Sequence, residues 1–157
     1  MTDIASRLLT TATLERFSSK TRDKLLETSL VLFNERGFGA VTTASIAEKS
    51  GVLEGSLWYH FRTKKDILVA HIELLEQVFE GANLNADATD AETIVAGIFA
   101  AYDVIWDFRY ILRDDFGTVL DADEPALQTS RVINDFLDTW TEDRIRHAGE
   151  HGLLKMT

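Results

Sequence analysis

A chain of 157 residues that is 45% apolar and 27% charged is long enough to bury a core and too apolar to stay unfolded. It has no cysteine, which excludes a disulfide framework, a thiolate nucleophile and a thiolate metal site, and fits a reducing compartment. The formal charge of -10 is unevenly spread: residues 1–66 carry 10 Lys and Arg against 8 Asp and Glu, whereas residues 67–157 carry 6 against 18. Such asymmetry suggests two jobs, the first part tolerating a polyanion and the second repelling one.

The pattern predicts helix nearly throughout, with no strand, internal repeat or low-complexity tract. Residues 1–18 read as an N-terminal arm, free to be disordered, without the apolar run and cleavage pattern of a secretory signal. No apolar run reaches the length of a membrane span, so the expected location is the cytoplasm. From about Ser19 to Arg36, Leu25, Leu26, Leu30 and Phe33 recur at helical spacing, and Gly37 supplies a stop. Thr42 suits the cap of a short second helix that turns Ile46 and Ala47 inward and ends at Gly51. A third short helix is expected from about Leu53 to Phe61. Thr63 then opens a fourth, with Asp66 three residues on in a capping-box-like position, and Ile67, Leu68, Leu75, Val78 and Phe79 carry it to Gly81.

The stretch "GANLNADATD" is small, polar and weakly patterned, as a boundary would be. Beyond it, Ile94, Ile98, Ala101 and Ile105 share one face of a fifth helix over roughly residues 91–110. A short sixth helix is expected over Asp114 to Leu120. After "DADEP", Pro125 fits the first turn of a seventh, built on Leu127, Val132, Ile133, Phe136, Leu137 and Trp140.

The segment "TTASIAEKSGVLEGSLWYHF", residues 42–61, folds two short helical patterns around Gly51 and ends in aromatics. This is the form of a helix-turn-helix, whose second helix fits the major groove while the first crosses the backbone. Ile46, Ala47, Val52 and Leu57 supply the apolar crossing, and Gly55 would let the backbone come close to a duplex. Hydroxyls at Thr42, Thr43 and Ser56, the polar rings of Trp58, Tyr59 and His60, and the ammonium of Lys64 can bond phosphates or base edges.

The longer stretch "GFGAVTTASIAEKSGVLEGSLWYHFRTKKDIL" resembles the N-terminal DNA-binding region of the tetracycline-repressor (TetR) family, with the likeness running from Lys24 to Leu68. The resemblance implies an all-α fold: a three-helix head with a helix-turn-helix, joined by helix four to a helical regulatory bundle. It implies a double-stranded DNA operator, a small-molecule effector that releases it, a homodimer, and no cofactor. By the same resemblance Thr42 is a cap and phosphate contact, Ser56, Trp58, Tyr59 and His60 fall where the family touches DNA, and Lys64 matches its phosphate-binding lysine. A second, looser likeness links "WDFRYILRDDFGTVLDADEPAL" to a subgroup with an aromatic-Arg-aromatic run followed by Arg-Asp.

The chain departs from the family pattern at four places. Leu53 stands where a capping Ser or Thr is usual, Glu54 sits where a neutral or basic residue is common, and Trp58 replaces a Tyr. The sequence also stops at "HAGEHGLLKMT", about where a pair of dimerising helices would begin, which leads to the expectation of an incomplete regulatory domain and puts the homodimer in question.

The expected domains are therefore the arm, 1–18, a DNA-binding head, 19–66, and a ligand-binding regulatory part, 67–157. Within the last, Phe99, Tyr102, Trp106, Tyr110, Phe136 and Trp140 suit either a ligand cavity or a core. His147 and His151 have helical i, i+4 spacing but no third ligand, so no metal site is expected, and Asp114 with Asp115 is not a catalytic dyad. No nucleophile with a base and no phosphate-cradling loop is present, so no enzyme is expected. Two readings remain: a sequence-specific DNA-binding transcriptional regulator, a repressor released by a small molecule, or a shortened relative that binds a ligand or partner protein instead of DNA.

Overall fold

A computed structural model describes residues 9–81, 90–114, 116, 119, 135, 138–139, 141–143, 145–150 and 152. The described residues form helices and connecting turns, with no strand among them. The helices are α1 (Thr11–Leu14), α2 (Thr21–Arg36), α3 (Thr43–Ser50), α4 (Glu54–His60), α5 (Lys64–Gly81), α6 (Ala91–Asp107) and α7 (Arg109–Arg113). Residues 141–143 and 145–150 are also helical.

The three-helix head is built on α2. Leu25, Leu26, Leu30 and Phe33 are buried along its inner face, with Asp23 in the first turn and Arg36 in the last, each matching the sign that its end of the helix dipole favours. Gly37 ends the helix at a φ of 86°, which any side chain would strain. Ile46 and Ala47 of α3 and Leu57 of α4 close over α2, and Phe61, Ile67 and Leu68 extend the same core into α5. The reciprocal cap expected at Thr63 is present: its N–H donates to Asp66 Oδ2 at 2.9 Å, and the Asp66 N–H donates to Thr63 Oγ1 at 3.2 Å.

The core is continuous from the head into the second part, because Ala101, Val104, Phe108, Tyr110 and Ile111 join the cluster that holds Phe33 and Phe38. Within the expected arm, the described residues 9–18 include α1. Leu9 and Thr13 are buried, the Thr10 N–H and hydroxyl donate to Asp107 Oδ2 at 2.9 and 2.6 Å, and Arg16 donates to the Gln77 carbonyl at 3.0 Å.

The fifth helix of the sequence reading is two helices. The chain turns at Phe108, whose φ and ψ of -112° and 21° leave the helical region. Asn34 of α2 accounts for the turn, since its Nδ2 donates to the Asp107 carbonyl at 2.7 Å and its Oδ1 accepts from the Tyr110 N–H at 3.1 Å. One buried amide thus supplies both partners that the interrupted helix has lost. The expected sixth helix does not begin at Asp114 either, because that residue is extended and closes α7. Phe136, Trp140 and His151, and with them most of the expected seventh helix, lie outside the described residues.

Candidate nucleic-acid interface

Thr42 opens the helix-turn-helix by capping α3. Its Oγ1 accepts from the Ser45 N–H at 3.1 Å, while Ser45 Oγ accepts from the Thr42 N–H at 3.2 Å, so two otherwise orphaned donors are satisfied together. Gly51 then reverses the chain at a φ of 68°, and the Val52 N–H reaches back to the Ala47 carbonyl at 3.0 Å. Thr42 stays exposed and Thr43 is half-buried.

The second helix, α4, packs through Leu57 and turns its other faces outward. Tyr59 is 85% exposed and Trp58 44%, whereas Ser56 and His60 are half-buried. Tyr59 and His60 stack edge to face with ring centres 5.2 Å apart, which orders two adjacent polar rings on the surface. Gly55 is exposed one turn before the aromatics, and a Cβ placed on it would meet open space. Leu53 provides no side-chain cap for α4 and is 80% exposed.

Lys64 is held by the loop between α2 and α3. Its ammonium donates to the carbonyls of Phe38 at 2.7 Å and Val41 at 3.0 Å and lies 4.4 Å from the centre of the Phe38 ring. Partial burial pulls its pKa below the ordinary lysine value. Two of its three donors are spent on the chain itself, which leaves one for an anion.

The exposed aromatics of α6 form a separate surface. Val95, Phe99, Tyr102 and Trp106 follow one another at helical spacing and are all exposed, with Arg109 stacked 4.9 Å from the Trp106 ring. Tyr110, by contrast, is fully buried: His71 Nδ1 lies 2.7 Å from its hydroxyl, and burial followed by the Asp114 charge pushes its pKa up. The described residues therefore do not bring Tyr110 together with Phe99, Tyr102 and Trp106.

Several cations and polar groups escaped the sequence reading. Lys49 and Arg62 are exposed at the ends of α3 and α4, and Arg22 packs 5.2 Å from the Phe61 ring. Their charges were visible, but only packing shows which face they occupy. Asn34, His71, Asp107, Arg113 and Asp114 are joined by contacts too distant in sequence to be read from spacing. The Arg-Asp of the looser likeness was the one available signal.

A family model described as bacterial regulatory proteins, tetR family, matches residues 25–71. Among curated relatives, the HTH-type transcriptional repressor KstR2 of Mycolicibacterium smegmatis is 40% identical over 125 residues, 78% of this chain and 58% of that protein. KstR2 of Rhodococcus jostii is 29% identical over 126 residues, 76% of this chain and 61% of that protein. The chain thus spans about three fifths of the length of these relatives. The crystal structure of the TetR-family regulator PfmR from Thermus thermophilus superposes with a TM-score of 0.68 at 21% identity, covering 89% of this chain and 77% of that one. A TetR-family regulator from Marinobacter aquaeolei gives 0.59 at 25% identity, covering 88% and 68%. Sequence and fold agree: residues 25–71 match the tetR family of bacterial regulatory proteins, and most of the chain is similar to TetR-family regulators.

Proposed function

We propose that this chain is a cytoplasmic, sequence-specific DNA-binding transcriptional regulator, a repressor that a small molecule releases from its operator. The observation that carries the reading is the outward face of α4, where Trp58 and Tyr59 are exposed and Gly55 faces open space while Leu57 anchors the helix from behind. In the docking we propose, α4 lies in the major groove, with Ser56, Trp58, Tyr59 and His60 toward the bases. Thr42, Thr43 and the remaining donor of Lys64 meet phosphates. The formal charges support this division, since the half that carries α4 is net basic and the other half is strongly acidic. The effector site in this reading uses Phe99, Tyr102 and Trp106 on the outer face of α6. A dimer pairs two heads on one operator.

A second reading, a partner-binding relative without an operator, draws on the exposed apolar stripe of α6. Selection of the 157-residue chain against random duplexes at moderate salt, followed by sequencing, separates the two. Two inverted half-sites about one helical turn (~10 base pairs) apart are expected. A single half-site would remove the dimer from the proposal, and retention without any sequence pattern would overturn operator recognition.

A further inference from the structure

The loop between α2 and α3 has no regular structure, yet its backbone is held on both sides. On one side the Phe38 N–H donates to Asp114 Oδ2 at 2.7 Å. On the other, the Phe38 carbonyl accepts from Lys64 Nζ at 2.7 Å, and the same ammonium reaches the Val41 carbonyl at 3.0 Å. The Phe38 ring fixes the middle, packed 5.1 Å from Phe33 and 5.2 Å from Phe116. Asp114 is itself held by Arg113, whose Nε donates to Asp114 Oδ1 at 2.8 Å while its terminal nitrogens reach the Phe33 and Asn34 carbonyls at 3.1 Å each. Those carbonyls belong to the last turn of α2: that of Phe33 also accepts from the Gly37 N–H at 2.9 Å, whereas the Phe38 N–H, which a continued helix would offer to Asn34, goes to Asp114 instead. Arg113 and Asp114 therefore close α7 and the end of α2 together, and they hand the loop on to Thr42, the cap of α3.

We infer that Arg113 and Asp114 are positioning residues for DNA recognition. Through the Phe38 clamp they set the attitude of α3 and α4, and the loop at residues 37–41 carries a change at the α6–α7 corner to the recognition helix. This inference rests on the DNA-binding reading above. The pair is suited to the task because its side chains remain partly exposed, at 48% and 21%, so its loss perturbs geometry more than it perturbs the core.

The test uses the full chain and a duplex retained by the wild type in the selection. Affinity is measured by anisotropy over a salt series, and melting of each protein is followed by circular dichroism. Asp114→Ala and Arg113→Ala are expected to weaken binding by roughly 2- to 30-fold, the range of substitutions along a coupling route. Their salt slope should equal that of the wild type, because no phosphate contact is lost. Lys64→Ala should instead lower the slope by about 1. Arg16→Ala, which removes a hydrogen bond elsewhere on the second part, is expected to leave affinity unchanged. Wild-type affinity in both clamp variants would overturn the inference while leaving the DNA reading intact. So would a loss of affinity matched by a loss of folded protein at the assay temperature. A wild type that retains no duplex would overturn the DNA reading and the inference with it.

Discussion

The head and the α6–α7 corner are held together by different kinds of bond. In the head, the determining interactions are local: Thr42 with Ser45, Thr63 with Asp66, and Gly51 closing α3 through the turn to Val52. At the corner, they join residues 39 to 97 positions apart, as His71 does with Tyr110, Asn34 with Asp107 and Thr10 with Asp107. Local bonds leave a signature in spacing, and distant ones leave only a polar residue whose partner is unknown until the chain is folded. The contrast also divides the work. In the head, α3 and α5 are opened by reciprocal caps at Thr42 and Thr63, and the corner is a buried polar seam that joins the head to the acidic second part.

Breaking the seam at its centre should have the largest effect. Asn34 is buried, and Asn34→Ala strands both the Asp107 carbonyl and the Tyr110 N–H without partners. At about 2 kcal/mol for each stranded group, the loss is roughly 4 kcal/mol, or a melting point lower by about 10 °C. Urea and thermal denaturation followed by circular dichroism measure it. A change under about 1 kcal/mol would mean that α6 and α7 can straighten into one helix and recover the bonds between themselves, so that the seam would not be what separates them.

His71 gives a second, smaller measure of the seam, through pH. Its imidazole is fully buried between the Leu26 carbonyl, 3.0 Å from Nε2, and the Tyr110 hydroxyl. Burial lowers its pKa, the Leu26 bond opposes this and the Arg22 charge adds to it, leaving the group at about 4 against an ordinary 6.5. The unfolded chain then binds a proton between those two values while the folded chain does not, so stability falls as pH drops through that window. The full loss is about 3 kcal/mol. His71→Gln cannot titrate and should flatten the curve between pH 6.5 and 4. A separate loss follows below that window, where Asp114 gains a proton. Its burial raises the pKa, but the bonds from Arg113 and the Phe38 N–H, with the Arg113 charge, outweigh burial and hold it low. A His71→Gln protein whose stability still falls between pH 6.5 and 5 would place the titrating group elsewhere.

The same contrast explains what could be read in advance. The bounds of α2 to α5 follow from glycines, caps and apolar spacing, all of which act within four residues. The turn at Phe108 was not legible, because "VIWDFRYIL" has no helix breaker and the cause is an amide 73 residues upstream. The fold of residues 9–17 was hidden for a like reason: Leu9, Leu14 and Phe17 pack on the core, but what holds the segment there is a bond from Thr10 to a buried carboxylate on α6, 97 residues away. Among the proposed DNA-facing residues, the sequence showed which groups were present but not how they were engaged. Nothing in the spacing of Lys64 shows that two carbonyls already occupy its ammonium.

The smallest effect sharpens the comparison from the head's side. If local rules govern that region, a local repair should act as the rules say, and Leu53 is the place to try it. It stands at the N-cap of α4 with φ and ψ of -62° and 139°, the backbone that a capping side chain needs, and it makes no cap bond. It is 80% exposed, so replacing it removes little packing. Leu53→Ser should bond a free N–H of the first turn and stabilise the protein by about 1 kcal/mol, raising the melting point by roughly 2–4 °C. A seven-residue helix cannot hold itself in water, so an unchanged melting point would assign its stability to the burial of Leu57 and the packing of Val52. In that case α4 would depend on distant contacts as the corner does, and the division between a locally built head and a seam of long-range bonds would fail at the recognition helix.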